Sequence, residues 1–132
     1  MTYTADTYFF LQLKEKNPKA LQLWHEIKTG KGQLVVPTIV FTELTRIMLR
    51  EGDSKPLKEF LAGTIASEKV LQCWLTTEFA RKAGEVSYQY SMPTVDSIIL
   101  ATALLTEHTN VITADAHFNR PAKERIIRKI EF

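Results

Sequence analysis

The fold class this sequence predicts is α/β, with a mostly parallel sheet carrying helices on both faces. Three observations lead there. Short β-prone runs alternate with longer stretches whose apolar residues recur at helical spacing. Strands pass almost directly into helices, as at Ala5–Asp6 and Val36–Thr38, which is the pattern of strand–helix–strand units. Finally, PTVDSIILATALL, from Pro93 to Leu105, is apolar nearly all round apart from Asp96, as a helix enclosed by its own domain should be.

In chain order, Tyr3 to Ala5 is a first strand, followed from Asp6 by a helical pattern through Phe9, Phe10 and Leu13. Pro18 suits the first turn of a second helix, with Leu21, Leu23, Trp24 and Ile27 as its apolar side and an end near Gly30 and Gly32. Gln33 to Val36 is the second strand. Thr38 is expected to cap the helix TIVFTELTRIMLREG, which Gly52 stops. Ser54 is expected to cap the next, with Pro56 in its first turn and Leu57, Phe60, Leu61 and Ile65 inside. Val70 to Leu75 reads as a third strand and Thr76 to Tyr90 as a helix carrying Phe79, Ala83, Val86 and Tyr90. After the Pro93 helix come a fourth strand, Asn110 to Thr113, a turn at ADAHF, and a last strand at the sheet edge, Arg125 to Ile130.

A chain of 132 residues with 45% hydrophobic content suits a single domain spanning 1–132. Seventeen Lys and Arg against fifteen Asp and Glu leave a net charge of +2, which argues neither for nor against nucleic acid. Distribution says more: Arg120, Lys123, Arg125, Arg128 and Lys129 face one acid, Glu124, so the C-terminal end is locally cationic. The single cysteine, Cys73, excludes an internal disulfide and a cysteine-based zinc site, and its apolar neighbours predict a buried, inert thiol. The first ten residues lack a signal-peptide pattern and no run is long enough to span a membrane, so a soluble cytoplasmic protein is expected.

Most acids fall where solvated helix faces would place them. Four do not. Asp6 follows the first strand and Asp115 the fourth, Glu43 lies in the helix after the second, and Asp96 lies in the first turn of the apolar helix. In a parallel sheet all four face one end of the molecule, where the strands turn into helices and ligands bind. Glu43 shares a face with Ile39, Val40, Leu44 and Ile47, the side that packs inward, with Arg46 and Arg50 flanking it. An intrahelical Glu43–Arg46 bridge is the competing reading, as is helix capping or turn formation for the three aspartates. Carboxylates gathered in one place repel each other and need a cation, and an all-oxygen donor set suits Mg²⁺ or Mn²⁺. Such a site supports in-line hydrolysis of a phosphodiester, with Arg46 and Arg50 meeting phosphates at its rim.

The ordered set TADTYFF, FTEL, VDSIILATALL and ITADAHF resembles the PIN-domain ribonucleases, most closely the VapC-type toxins of toxin–antitoxin pairs. The resemblance spans nearly the whole chain. It implies a three-layer α/β/α sandwich around a mostly parallel sheet of four to five strands. It also implies that Asp6, Glu43, Asp96 and Asp115 form the metal-binding catalytic set, supported by the hydroxyls of Thr7 and Thr113. The activity implied is endoribonucleolytic cleavage of RNA with Mg²⁺ or Mn²⁺, in a protein that often dimerises with itself and is inhibited by a small antitoxin.

Where relatives often carry a charged residue just past the last aspartate, this chain has Ala116 and His117, and His117 is expected at the surface. His25 and His108 are assigned no chemistry, and Trp24 and Trp74 are expected in the core rather than as base-stacking platforms. A module of the same fold that binds RNA or protein without catalysis is the alternative, and it would persist in EDTA. A phosphotransfer domain with Asp6 as nucleophile ranks last, because Tyr8 stands where a second acid is wanted.

Overall fold

The computed structural model describes every residue from Met1 to Phe132. Five strands, β1 (Thr2–Ala5), β2 (Gln33–Pro37), β3 (Val70–Cys73), β4 (Asn110–Ile112) and β5 (Arg128–Ile130), form one sheet in the order β3-β2-β1-β4-β5. Every pairing is parallel. The helices are α1 (Thr7–Lys14), α2 (Pro18–Lys28), α3 (Thr38–Arg50), α4 (Ser54–Ala66), α5 (Thr77–Tyr90), α6 (Thr94–Leu105) and the short α7 (Asn119–Lys123). A 3-10 turn, Ala116–Phe118, precedes α7.

Strand order dictates where the helices go. The chain steps outward from β1 to β2 to β3 and then crosses back to β4 and β5. Since parallel crossovers are right-handed, α1 to α4 cover one face and α5 to α7 the other, giving the three-layer sandwich. The direction of winding reverses between β1 and β4, and the carboxyl ends of those two strands open the crevice where ligands bind in such sheets.

Helix α6 is the post behind that crevice. Seven consecutive residues, Ser97 to Ala103, are buried, and the helix packs on β1, β2 and α5. Its two buried hydroxyls bond back into the helix, Ser97 Oγ to the carbonyl of Pro93 at 2.8 Å and Thr102 Oγ1 to that of Ile98 at 2.8 Å. Neither therefore carries an unsatisfied polar group into the core. Phe9 and Phe10 from α1, Leu34 and Val36 from β2, Leu44 and Met48 from α3 and Phe118 from the 3-10 turn join α6 in the main cluster.

Several local expectations are corrected. Thr38 does not cap α3: β2 runs through Pro37 straight into the helix, and no side chain bonds the free N–H groups there. Ser54 lies inside α4, and the cap position falls to Asp53, whose carboxylate is taken by Lys14 at 2.5 Å instead. On α4 Leu57 and Thr64 point inward, seven residues apart, while Ile65 is 65% exposed. The last strand begins only at Arg128, since Arg125 adopts φ 62° and the segment before the strand is a turn. Trp74 is 69% exposed rather than in the core, because β3 is the sheet edge and ends at Cys73, which drops Trp74 into the loop beyond it. Trp24 does pack edge-on against Phe9. Cys73 is half-buried rather than enclosed, and burial pushes its thiol pKa up.

Candidate functional site

Asp6 leaves the end of β1, and its backbone N–H continues the sheet by donating to the carbonyl of Ile112 on β4 at 3.1 Å. Its carboxylate is almost fully buried and doubly held. Oδ1 accepts from the backbone N–H of Thr7 at 2.7 Å, capping α1, and Oδ2 accepts from the hydroxyl of Thr113 at 2.7 Å. The same hydroxyl accepts the backbone N–H of Asp115 at 3.0 Å. One threonine at the end of β4 thus sets the positions of two of the acids.

Glu43 enters from α3. Its Oε1 accepts the hydroxyl of Thr7 at 3.1 Å, and it makes no ion pair with Arg46, so the intrahelical bridge is not what holds it. Asp96 sits in the first turn of α6 and caps nothing, for the helix start has no side-chain cap. Asp115 caps the 3-10 turn by accepting the N–H of His117 at 2.8 Å. Capping therefore accounts for part of what Asp6 and Asp115 do and for none of what Asp96 and Glu43 do.

The electrostatics tie the four together. Burial raises the Asp6 pKa, the bonds from Thr113 and Thr7 oppose that, and the charges of Glu43 and Asp115 add to it. Asp96 is pushed up to about 6, first by burial and then by the charges of Asp115 and Asp6, with His117 opposing and Glu43 adding. No lysine or arginine forms an ion pair with any of these carboxylates; His117 Nδ1 is the one partner, 2.7 Å from Asp115 Oδ1 and 3.2 Å from Asp96 Oδ2. Donor atoms of Asp96, Asp115 and His117 all lie within 4.8 Å of one another. Asp6 and Glu43 stand behind that trio, linked to it through Thr113 and Thr7. An acidic pocket with so little compensating charge fits a hard divalent cation held by oxygen.

With this fold and this arrangement in view, the comparison with known families is decisive: the PIN domain family model matches residues 3–124. The chain belongs to the PIN domain family. No curated protein matches its sequence. Among solved structures, the PIN chain is similar to a toxin–antitoxin complex from Klebsiella pneumoniae, with TM-score 0.69 and 19% identity over 89% of this chain and 90% of that one. It is also similar to VapBC2 from Rickettsia felis bound to a DNA fragment from their promoter, with TM-score 0.74 and 15% identity over 99% and 98% of the two chains. At such identities the likeness speaks for the fold. PIN domains are generally nucleases.

His117 is exposed at the surface, as expected, and its ring also meets the acids, with Nδ1 2.7 Å from Asp115 Oδ1 and 3.2 Å from Asp96 Oδ2. Its signal in the sequence was only its place two residues after Asp115, where a 3-10 turn brings the ring back over the capping carboxylate. Arg50 lies in the last turn of α3, seven residues beyond Glu43 and so about 10 Å further along the helix axis. Arg46, one turn from Glu43, remains exposed at the near end. No helix is long and apolar enough to cross a membrane.

Proposed function

We propose that this PIN domain is a metal-dependent endoribonuclease and the toxin of a toxin–antitoxin pair. The observation that carries the reading is the gathering of acids at the carboxyl ends of β1 and β4, where Asp96 and Asp115 lie together and burial with the neighbouring acidic charges pushes the Asp6 and Asp96 carboxyls up. Keeping four carboxylates there with only His117 beside them costs stability, and a bound cation would offset that cost.

Asp96 and Asp115, whose carboxylate oxygens lie within 4.8 Å of one another, would bind the ion directly, with Asp6 and Glu43 behind them completing its oxygen shell. Thr113 and Thr7 fix the carboxylates behind them by hydrogen bonds. When bound, Mg²⁺ or Mn²⁺ supplies an activated water and charge neutralisation at the scissile phosphate. Arg46 at the rim holds a flanking phosphate, while the basic residues near the C-terminus add a longer-range attraction for the RNA backbone. The likeness to toxin–antitoxin complexes supports a small antitoxin as partner, and the family resemblance supports a homodimer.

The test is cleavage of single-stranded RNA by the purified protein, beside DNA of the same sequence. RNA cleavage that EDTA stops and added Mg²⁺ or Mn²⁺ restores is expected, with Asp96→Asn folded and inactive. Full activity in Asp96→Asn, or undiminished activity with excess chelator, would overturn the reading.

A further inference from the structure

His117 is the one nitrogen donor in an otherwise all-oxygen pocket, and nothing in the acidic set requires it. The ring is not aimed inward by chance packing. Asp115 Oδ1 accepts both the backbone N–H of His117, at 2.8 Å, and its ring Nδ1, at 2.7 Å, so the turn and the ring are anchored on the same oxygen. From that anchor Nδ1 also reaches Asp96 Oδ2 at 3.2 Å, across from a different helix.

Those two spacings have a second meaning. Adjacent donors around an octahedral ion, each about 2.1 Å from it, stand about 3.0 Å apart. Nδ1 therefore already sits at the separation from both carboxylate oxygens that neighbouring ligands of one ion adopt.

We infer that His117 Nδ1 is a ligand of the divalent ion, making the site a mixed nitrogen and oxygen one. The inference rests on the metal-site reading above and adds to it a preference among metals. Mg²⁺ takes oxygen donors, whereas affinity for a site containing imidazole rises along the first-row transition ions from Mn²⁺ at its weak end, so His117 shifts the preference away from Mg²⁺, modestly for Mn²⁺ and more for the later ions.

The experiment uses the full chain and Mn²⁺ alone, with no RNA. Pulsed electron paramagnetic resonance of the Mn²⁺-loaded protein should show hyperfine coupling to an imidazole nitrogen, and His117→Gln should abolish it while still binding Mn²⁺. Competition titration should show the Mn²⁺ over Mg²⁺ affinity ratio falling on the order of tenfold in His117→Gln. Mn²⁺ bound without nitrogen coupling, or with the same ratio in the variant, overturns the inference and leaves the four-acid site standing. Failure of the native protein to bind Mn²⁺ overturns both.

Discussion

The hydroxyl of Thr113 donates to Oδ2 of Asp6 at 2.7 Å, joining the ends of β4 and β1 at the point where the sheet changes its direction of winding. Because the same oxygen also accepts the N–H of Asp115, the spacing between two acids from distant parts of the chain depends on one buried side chain. That dependence makes Thr113 a positioning residue.

Thr113→Val keeps the shape and removes both bonds. Leaving Asp6 half-partnered in a buried place should cost about 2 kcal/mol and lower Tm by roughly 5–8 °C. RNA cleavage should fall sharply, and Thr113→Ser should restore most of it. Thermal melts and cleavage rates of the three proteins decide the matter, and equal rates in Val and native proteins would remove Thr113 from the site.

Asp96 holds its proton up to about pH 6, against an ordinary value of 3.8. The native state therefore binds that proton more tightly than the unfolded chain does. Its contribution to stability is fully present below about pH 4 and is lost as pH rises to about 6, so the metal-free protein loses stability across that window. The raised Asp6 carboxyl acts in the same direction. Asp96→Asn should flatten the slope and raise Tm of the metal-free protein near neutral pH, and Mg²⁺ should stabilise the native chain more than the variant. Melts at several pH values with and without Mg²⁺ check this.

Arg46 is exposed and pairs with no acid, so Arg46→Ala should change stability by less than about 0.5 kcal/mol. Loss of a phosphate contact should instead raise KM for RNA and reduce the salt slope of binding by about one unit, whatever the RNA sequence. A variant that is destabilised but binds RNA as before would show that Arg46 is structural.

Phe118 is fully buried in the main core and closes the 3-10 turn that carries Asp115 and His117. Phe118→Ala should cost about 3–5 kcal/mol in urea unfolding. Activity measured where the variant is still folded should be reduced too, since the turn loses its seat. A large stability loss with unchanged activity would separate the turn from the core beneath it.

Much of this protein is written locally. The alternation of β-prone runs with helical spacing, Pro18 and Gly52 at helix ends, and the apolar run behind Asp96 each depend on neighbours a few residues away, and local order can be read from a chain. The four acids were legible for the same reason, as each stands at a recognisable strand-to-helix junction or on a face it should not share. What tertiary structure alone decided depends on partners far along the chain. Trp74 is exposed because β3 turned out to be the edge strand, and strand order is a matter of packing, not of the residues VLQCWL. His117 became part of the site because the turn after β4 and the start of α6 meet at one crevice, a juxtaposition that no short-range spacing encodes.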